Sequence, residues 1–299
     1  MANFTFHYYA SAVGLGGVLK YEKSGVTIAR SLASVALAPT GGEGYTESAG
    51  HDSDGISFSR ATSHVTGYDS GYRTFTTKSD LYMEDLNLFD RVKAASLQLN
   101  ITSTREVLPT ATLKTENPDT ALFSMSTMIV GLTIDGVEIT PEFDLDLCQC
   151  ATYAAFAAQI NRDSDAYARQ FGVPTAHLRT VLAANPLPIR GSLVKNLGYT
   201  PTPTVGPPQG FRIQVKNFGV VHIGELIVKA GTRTANLLRI DFNAKQKVDQ
   251  PAQAATGRRN AEISALSRDG EAAISTAKSP DSGTGTILSL TGNGAPNWP

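Results

Sequence analysis

The sequence predicts a mainly β fold of the α+β kind, with antiparallel sheets in a sandwich- or barrel-like arrangement and one or two short helices near residues 152–184. Three observations predict it. Apolar and polar side chains alternate at period two along much of the chain, the pattern of strands with one dry and one wet face. Turn residues that tolerate positive φ, such as Asp135-Gly136 and the Asn217-Phe218-Gly219 run, stand between those stretches. Helical spacing with capping residues is confined to the region from Thr152 to Ala184.

Taken in order, Phe4, Phe6 and Tyr8 alternate with Thr5, His7 and Tyr9, so residues 3–12 read as a strand that begins almost at the first residue. A terminal strand frays unless a sheet holds it, which predicts pairing within the domain or with a neighbouring subunit. Gly14-Leu15-Gly16-Gly17 reads as a turn; it has neither the GxGxxG spacing nor the following Lys-Ser/Thr of a phosphate loop. Val26 to Ala38 reads as the next strand, and the polar, glycine-rich stretch from Pro39 to Gly55 as a loop. Strands recur at 56–65, 72–83 and 94–104. In the last, Ala95, Leu97, Leu99 and Ile101 face one way and Ser96, Gln98, Asn100 and Thr102 the other. Polar faces so rich in Thr, Ser and Tyr suit water, a partner's backbone or sugar.

Leu132 to Ile134 and Val137 to Ile139 flank Asp135-Gly136 as a two-residue type I′ hairpin requires. Glu142, Asp144 and Asp146 then alternate with Phe143 and Leu145, which places three carboxylates on one face of an extended segment. With no nearby histidine to complete a set, they read as a solvated face rather than a cation or acid-base site. Thr152 caps a helix carrying Tyr153, Phe156, Ala157 and Ile160, interrupted at 161–164 and closed by Gly172. A second helix spans 175–184, ended by Pro186. A strand at 192–197 and the proline-rich connector TPTPTVGPPQG lead into a three-strand meander over 210–243. Residues 1–245 thus form a β-rich globular domain with a helical insertion at 152–184. Residues 246–299 form a low-complexity C-terminal arm, too poor in large apolar residues to hold itself folded. Within it, Ile287, Leu288 and Leu290 offer a terminal strand and Trp298, the single tryptophan, an anchor.

With 299 residues and a formal charge of −1, the chain has no global field to draw nucleic acid or anionic lipid. It has no run of about 18 apolar residues and no basic leader, so the expectation is a cytoplasmic protein with no membrane span and no nucleic-acid partner. Cys148 and Cys150 are the only cysteines and supply no disulfide framework. No catalytic, cofactor-binding or metal-binding residue emerges. His7, His51, His64, His177 and His222 are scattered without HExxH or His-x-His; Cys148-Gln149-Cys150 lacks further ligands; His51-Asp52-Ser53-Asp54-Gly55 lacks the ladder of a calcium loop. GxSxG, P-loop and kinase signatures are missing.

The opening FTFHYYASAVGLGG, the segment GELIVKAG and the ending Gly-Asn-Gly-Ala-Pro-Asn-Trp-Pro resemble a family of uncharacterised bacterial proteins of similar length, with an aromatic-rich N-terminus and a Trp-Pro C-terminus. The resemblance implies a bacterial source and no known activity, and it carries no catalytic residue onto this chain. The leading functional expectation is a non-enzymatic structural protein that self-associates into a filament, shell or lattice. Its homo-oligomeric contacts would come from Phe4, Phe6, Tyr8, Ile287, Leu288, Leu290 and Trp298. One alternative is a carbohydrate- or protein-binding β module with a patch drawn from Tyr8, Tyr9, Tyr45, Tyr68, Tyr72 and Trp298; another is a hydrolase of unfamiliar type, in which a histidine, a carboxylate and a Ser or Cys would converge. The sequence identifies no small-molecule ligand.

Overall fold

Long strands assemble into two antiparallel sheets that lie face to face, the outcome the period-two pattern requires when each strand has one face to bury. The computed structural model describes residues 5–21, 26–107, 121–183, 188–242 and 282–297. In chain order the N-terminal half supplies β1 (Thr5–Tyr21), β2 (Val26–Ala36), β3 (Gly42–Ser48), β4 (His51–Ser53), β5 (Ile56–Phe58) and β6 (Arg60–Asp69). Then come β7 (Thr74–Leu88), β8 (Val92–Glu106), β9 (Ala121–Val130), β10 (Thr133–Ile134), β11 (Val137–Glu138) and β12 (Thr140–Phe143). Four helices follow: α1 (Leu145–Cys148), α2 (Tyr153–Arg162), α3 (Ser164–Phe171) and α4 (Thr175–Ala183). The rest is β13 (Ile189–Ser192), β14 (Val194–Gly198), β15 (Val205–Gln209), β16 (Arg212–Val215), β17 (Gly219–Lys229), β18 (Thr232–Phe242) and β19 (Ser282–Asn297).

Sheet A has eight strands, in the order β15-β16-β17-β18-β19-β1-β2, with β13 also on β17. Sheet B has nine and is centred on β7 and β8; β6 and then β3 lie beyond β7, and β9 lies beyond β8. The β4–β5 and β10–β11 hairpins attach at the ends of β7 and β8. Neither sheet closes into a barrel. Strands β1 and β19 lie over β6, β7 and β8, and the side chains between the sheets form the core. One end is filled by rings: Phe89, Phe218 and Phe242 meet at 5.2–6.2 Å between centroids. There Arg91 clamps the sheets, donating to both oxygens of Asp135 at 2.7 and 2.6 Å and to the Lys216 carbonyl at 2.8 Å.

Several local expectations hold. Asp135 and Gly136 turn the β10–β11 hairpin with φ of 48° and 75°, and the meander is β16-β17-β18 with Asn217 at φ 56°. The Thr152 side chain caps α2 by accepting from the Ala155 N–H, and Gly172 ends α3 in the left-handed region. Others change. The glycines at 14–17 make no turn: β1 continues through them, and at Gly14 β2 passes too close for a side chain. A Cβ on Gly14 would sit 2.9 Å from the Ala33 Cβ. The register does not shift there, Val13 facing Ser34 and Leu15 facing Leu32, although Ala33 takes φ 47°. The glycine-rich stretch after Pro39 contains β3 and β4, since alternation of Glu43, Tyr45 and Glu47 with smaller residues suffices for an edge strand. The described residues hold four short helices: the stretch from Thr152 to Gly172 divides at Asp163 into α2 and α3, α4 follows, and Asp144 starts a further one, α1, by accepting from the Leu147 N–H. Asp144 is therefore buried while Glu142 and Asp146 are exposed, and the three carboxylates do not share a strand face. No helix among the described residues is long and apolar enough to cross a membrane.

Candidate functional site

The face of sheet B turned away from the core carries an ordered array of polar and aromatic side chains. Antiparallel register carries it across five strands in straight rows. One row runs Tyr45, His64, Asp80, Asn100 and Ser126; the next runs Glu47, Thr62, Tyr82, Gln98 and Met128; a third runs Glu43, Thr66, Lys78, Thr102 and Ser124. All fifteen are exposed or half-buried, whereas intervening residues such as Val65, Leu81, Leu99 and Met125 are buried. Five strands about 4.8 Å apart make a surface roughly 19 Å across.

The rings on this face are held in place. The Tyr45 hydroxyl donates to Glu47 Oε2 at 2.6 Å, and Arg60 Nε donates to Glu47 Oε1 at 2.9 Å. Tyr82 repeats the device, its hydroxyl donating to Glu84 Oε1 at 2.6 Å. In both cases ring and carboxylate are two residues apart, hence on the same side of one strand. The hydrogen bond from Tyr45 lowers the pKa of Glu47, and in return the bonds to Glu47 and Glu84 raise those of Tyr45 and Tyr82. Tyr45 is 56% exposed and meets the His64 ring edge-on at 6.1 Å; Tyr68 is 43% exposed and lies under Lys78 Nζ at 5.9 Å. His64 bonds Glu43 at 2.8 Å, and Asn100 donates to Asp80. Such a face offers fixed ring surfaces separated by hydroxyl, amide and carboxylate groups.

A second charged group, mostly buried, lies on β17 and β18. Arg239 bonds Glu225 at 3.0 Å and Asp241 at 2.5 Å, and His222 Nε2 meets Asp241 Oδ2 at 2.9 Å. Asn236 donates to Glu225 at 2.8 Å. Burial, with the Arg239 charge beside it, pushes the His222 imidazole towards its neutral form against the pull of Asp241. No serine or cysteine joins this group by a hydrogen bond among the described residues. His51 stacks on Phe58 beside an Arg30–Asp54 ion pair, where the Ser53 hydroxyl donates to Asp54 and not to the imidazole. The described residues contain no group of three or more His, Cys, Asp or Glu able to hold a metal. Cys148 is buried and its thiol is pushed up to about 11, by desolvation first and Asp144 second.

Of the residues singled out for contacts, Phe6 and Tyr8 are each 6% exposed and lie in the core, Phe6 stacked on Phe75 at 4.2 Å. Ile287, Leu288 and Leu290 belong to β19, where Ile287 pairs Leu15 and Leu290 pairs Ala12. Phe4 and Trp298 lie outside the described residues. Of the tyrosines named for a binding patch, Tyr45 and Tyr68 share the sheet B face and Tyr72 stands fully exposed in the turn beyond Tyr68; Tyr8 and Tyr9 belong to β1. Tyr82 and His64 were not named for that patch; their period-two spacing from Glu84 and Thr66 was the available signal.

One family model matches the chain, a domain of unknown function (DUF8256), over residues 6–229. No curated protein and no solved structure matches it.

Proposed function

The chain belongs to that family of unknown function, and we propose that it is a carbohydrate-binding β-sandwich module whose ligand lies across the outer face of sheet B. The observation that carries this reading is the alignment of Tyr45 and Tyr82 in adjacent rows, each fixed by its own carboxylate, around Thr62, His64, Asp80, Gln98 and Asn100. The apolar C–H face of a pyranose stacks on a tyrosine ring, and its hydroxyls need donors and acceptors at the ring's edge. A fixed amphipathic ring supplies the first at small entropic cost, and the intervening polar side chains supply the second. The width of the face accommodates several linked sugar rings. Affinity electrophoresis against a panel of soluble polysaccharides tests the reading. At least one gel should retard the protein, and Tyr45→Ala together with Tyr82→Ala should weaken binding by about tenfold or more, the loss of roughly 1.4 kcal/mol. Retardation by none of the panel, or equal retardation of the double variant, overturns it.

Self-association into a larger assembly is the second reading, and the outer edge of β9 favours it. Among the described residues β9 is paired to β8 alone, and it exposes Leu122, Met128 and Val130 at 52, 42 and 45%. An apolar, half-paired edge strand is a template for a strand from another copy. Size-exclusion chromatography with light scattering should then give a dimer or larger species that Met128→Lys reduces to monomer. A wild-type monomer at high concentration ends this reading.

A further inference from the structure

Arg212 on β16, His222 on β17 and Arg239 on β18 are register partners in one row of sheet A. The row lies on the side turned from the core, since the neighbouring Val221, Ile223 and Ile240 point inward. His222 is buried all the same. The charged groups around it are Arg212, its partner on β16, Glu225 from its own strand, and Arg239 and Asp241 from β18. Arg239 is the hub. It holds Glu225 through Nε and Asp241 through Nη1, while its Nη2 lies 3.0 and 3.2 Å from the two ring nitrogens of His222.

Two cations and two carboxylates balance as long as the imidazole is neutral. Its tautomer is fixed as well: the Asp241 carboxylate can only accept, so the ring hydrogen is on Nε2, 2.9 Å from Oδ2, and Nδ1 is bare. A proton added at Nδ1 sets an imidazolium against the Arg239 guanidinium, where His222 and Glu225 are shielded from water. Burial first, and the Arg239 charge with it, hold this imidazole below its ordinary range although the Asp241 bond pulls the other way. The row also reaches the helices. Arg212 Nη2 donates to the carbonyls of Phe171 and Gly172, at the C-terminal end of α3, at 3.4 Å each, and its buried Nε has no partner among the described residues. Held by two long bonds, Arg212 is the cation of the row that shifts at least cost.

We propose that this row is a pH-sensitive latch between sheet A and the helical region. Neutral His222 keeps Arg239 in its bonds to Glu225 and Asp241 and leaves Arg212 on the end of α3. A proton taken from solvent at Nδ1 adds a third cation to the row and drives Arg212 off the Phe171 and Gly172 carbonyls. Asp241 keeps its bond to Nε2 throughout, so β17 and β18 stay paired and the change is local to the α3 contact. The device is independent of any ligand on sheet B.

Nitrogen-15 shifts of the imidazole rings and amide hydrogen exchange, both on the full chain between about pH 7.5 and 5, test the proposal. At the upper pH the His222 ring should be the neutral Nε2–H form, and it should take its second proton below the ordinary histidine value of about 6.5. As it does so, protection of the Gly172 and Val173 amides, which bond the Arg169 and Ala168 carbonyls, should fall by about tenfold or more, with the amides of β7 and β8 unchanged. Because the folded ring accepts its proton at lower pH than the unfolded chain does, stability is complete above about pH 6.5 and is lost as the pH falls through the folded value. His222→Gln, which cannot take up the proton, should hold Gly172 and Val173 protection level across the range. His51→Gln is the control: burial lowers that imidazole too, and its loss should leave the α3 response intact. A cationic or Nδ1–H ring at the upper pH overturns the proposal, a measurement made on the unaltered chain that stands even if the variant does not fold. So does α3 protection that stays level while the ring titrates, or that falls as steeply in His222→Gln as in the wild type.

Discussion

A chain ended at Asp281 is expected to lose its cooperative fold. Ser282 to Asn297 form β19, which lies between β1 and β18 and pairs with β1 along nearly its whole length and with β18 from Gly283 to Gly292. Removing an inner strand separates β1 and β2 from the rest of sheet A and exposes two unpaired edges next to the core. The lost ladders and the uncovered faces of β7 and β8 together exceed the roughly 5–15 kcal/mol on which a domain's stability rests. Circular dichroism and differential scanning calorimetry should show no cooperative transition, and a synthetic peptide spanning 282–297 should restore one in part. A truncated chain that melts cooperatively within a few degrees of the full one would contradict the strand's place.

Arg233→Ala is expected to be the most damaging single substitution considered. Arg233 is fully buried. Its guanidinium lies 4.6 Å from the centroid of the Phe123 ring on β9 and 6.0 Å from that of Phe156 on α2, while Nη1 donates to the carbonyls of Lys229 and Thr232 at 3.0 and 3.2 Å. One side chain thus joins sheet A, sheet B and the helical region. Truncation leaves a large cavity and two carbonyls without this donor, a loss of about 3 kcal/mol or more. In a domain of this size that corresponds to a fall of roughly 6–12 °C in melting temperature. Arg233→Lys keeps the charge but not the flat ring-stacking surface and should fall between the two. A shift under about 2 °C for the alanine variant would mean that the contact contributes little.

Much of this fold is legible in local chemistry. Period-two alternation located β8, β16 and the core of β7; Asp135-Gly136 marked its hairpin; Thr152 and Gly172 bounded the longer helical stretch. What local chemistry cannot supply is order across the sheet. Nothing in SGTGTILSLTGNGAPN says that it lies between the first strand and the strand before it in sequence, because the pairing of backbone ladders with distant strands leaves no mark in a local pattern. The glycines at 14–17 read as a turn for a similar reason: the room that Gly14 leaves for β2 is visible only once Ala33 is placed against it. The candidate site follows the same division. Tyr45 and Tyr68 stood out as exposed aromatics, but the partnership of Tyr45, His64, Asp80 and Asn100 depends on register over 56 positions of chain and could not be read from any window.

The most direct measurement for the sheet B face is chemical-shift mapping on isotope-labelled protein, titrated with the polysaccharide that retards it most. Binding across the face predicts the largest changes at Tyr45, His64, Tyr82, Gln98 and Asn100, with the core-facing Val65 and Leu99 little moved. Changes confined to the helical region or to the β9 edge, with those five residues unmoved, would contradict it.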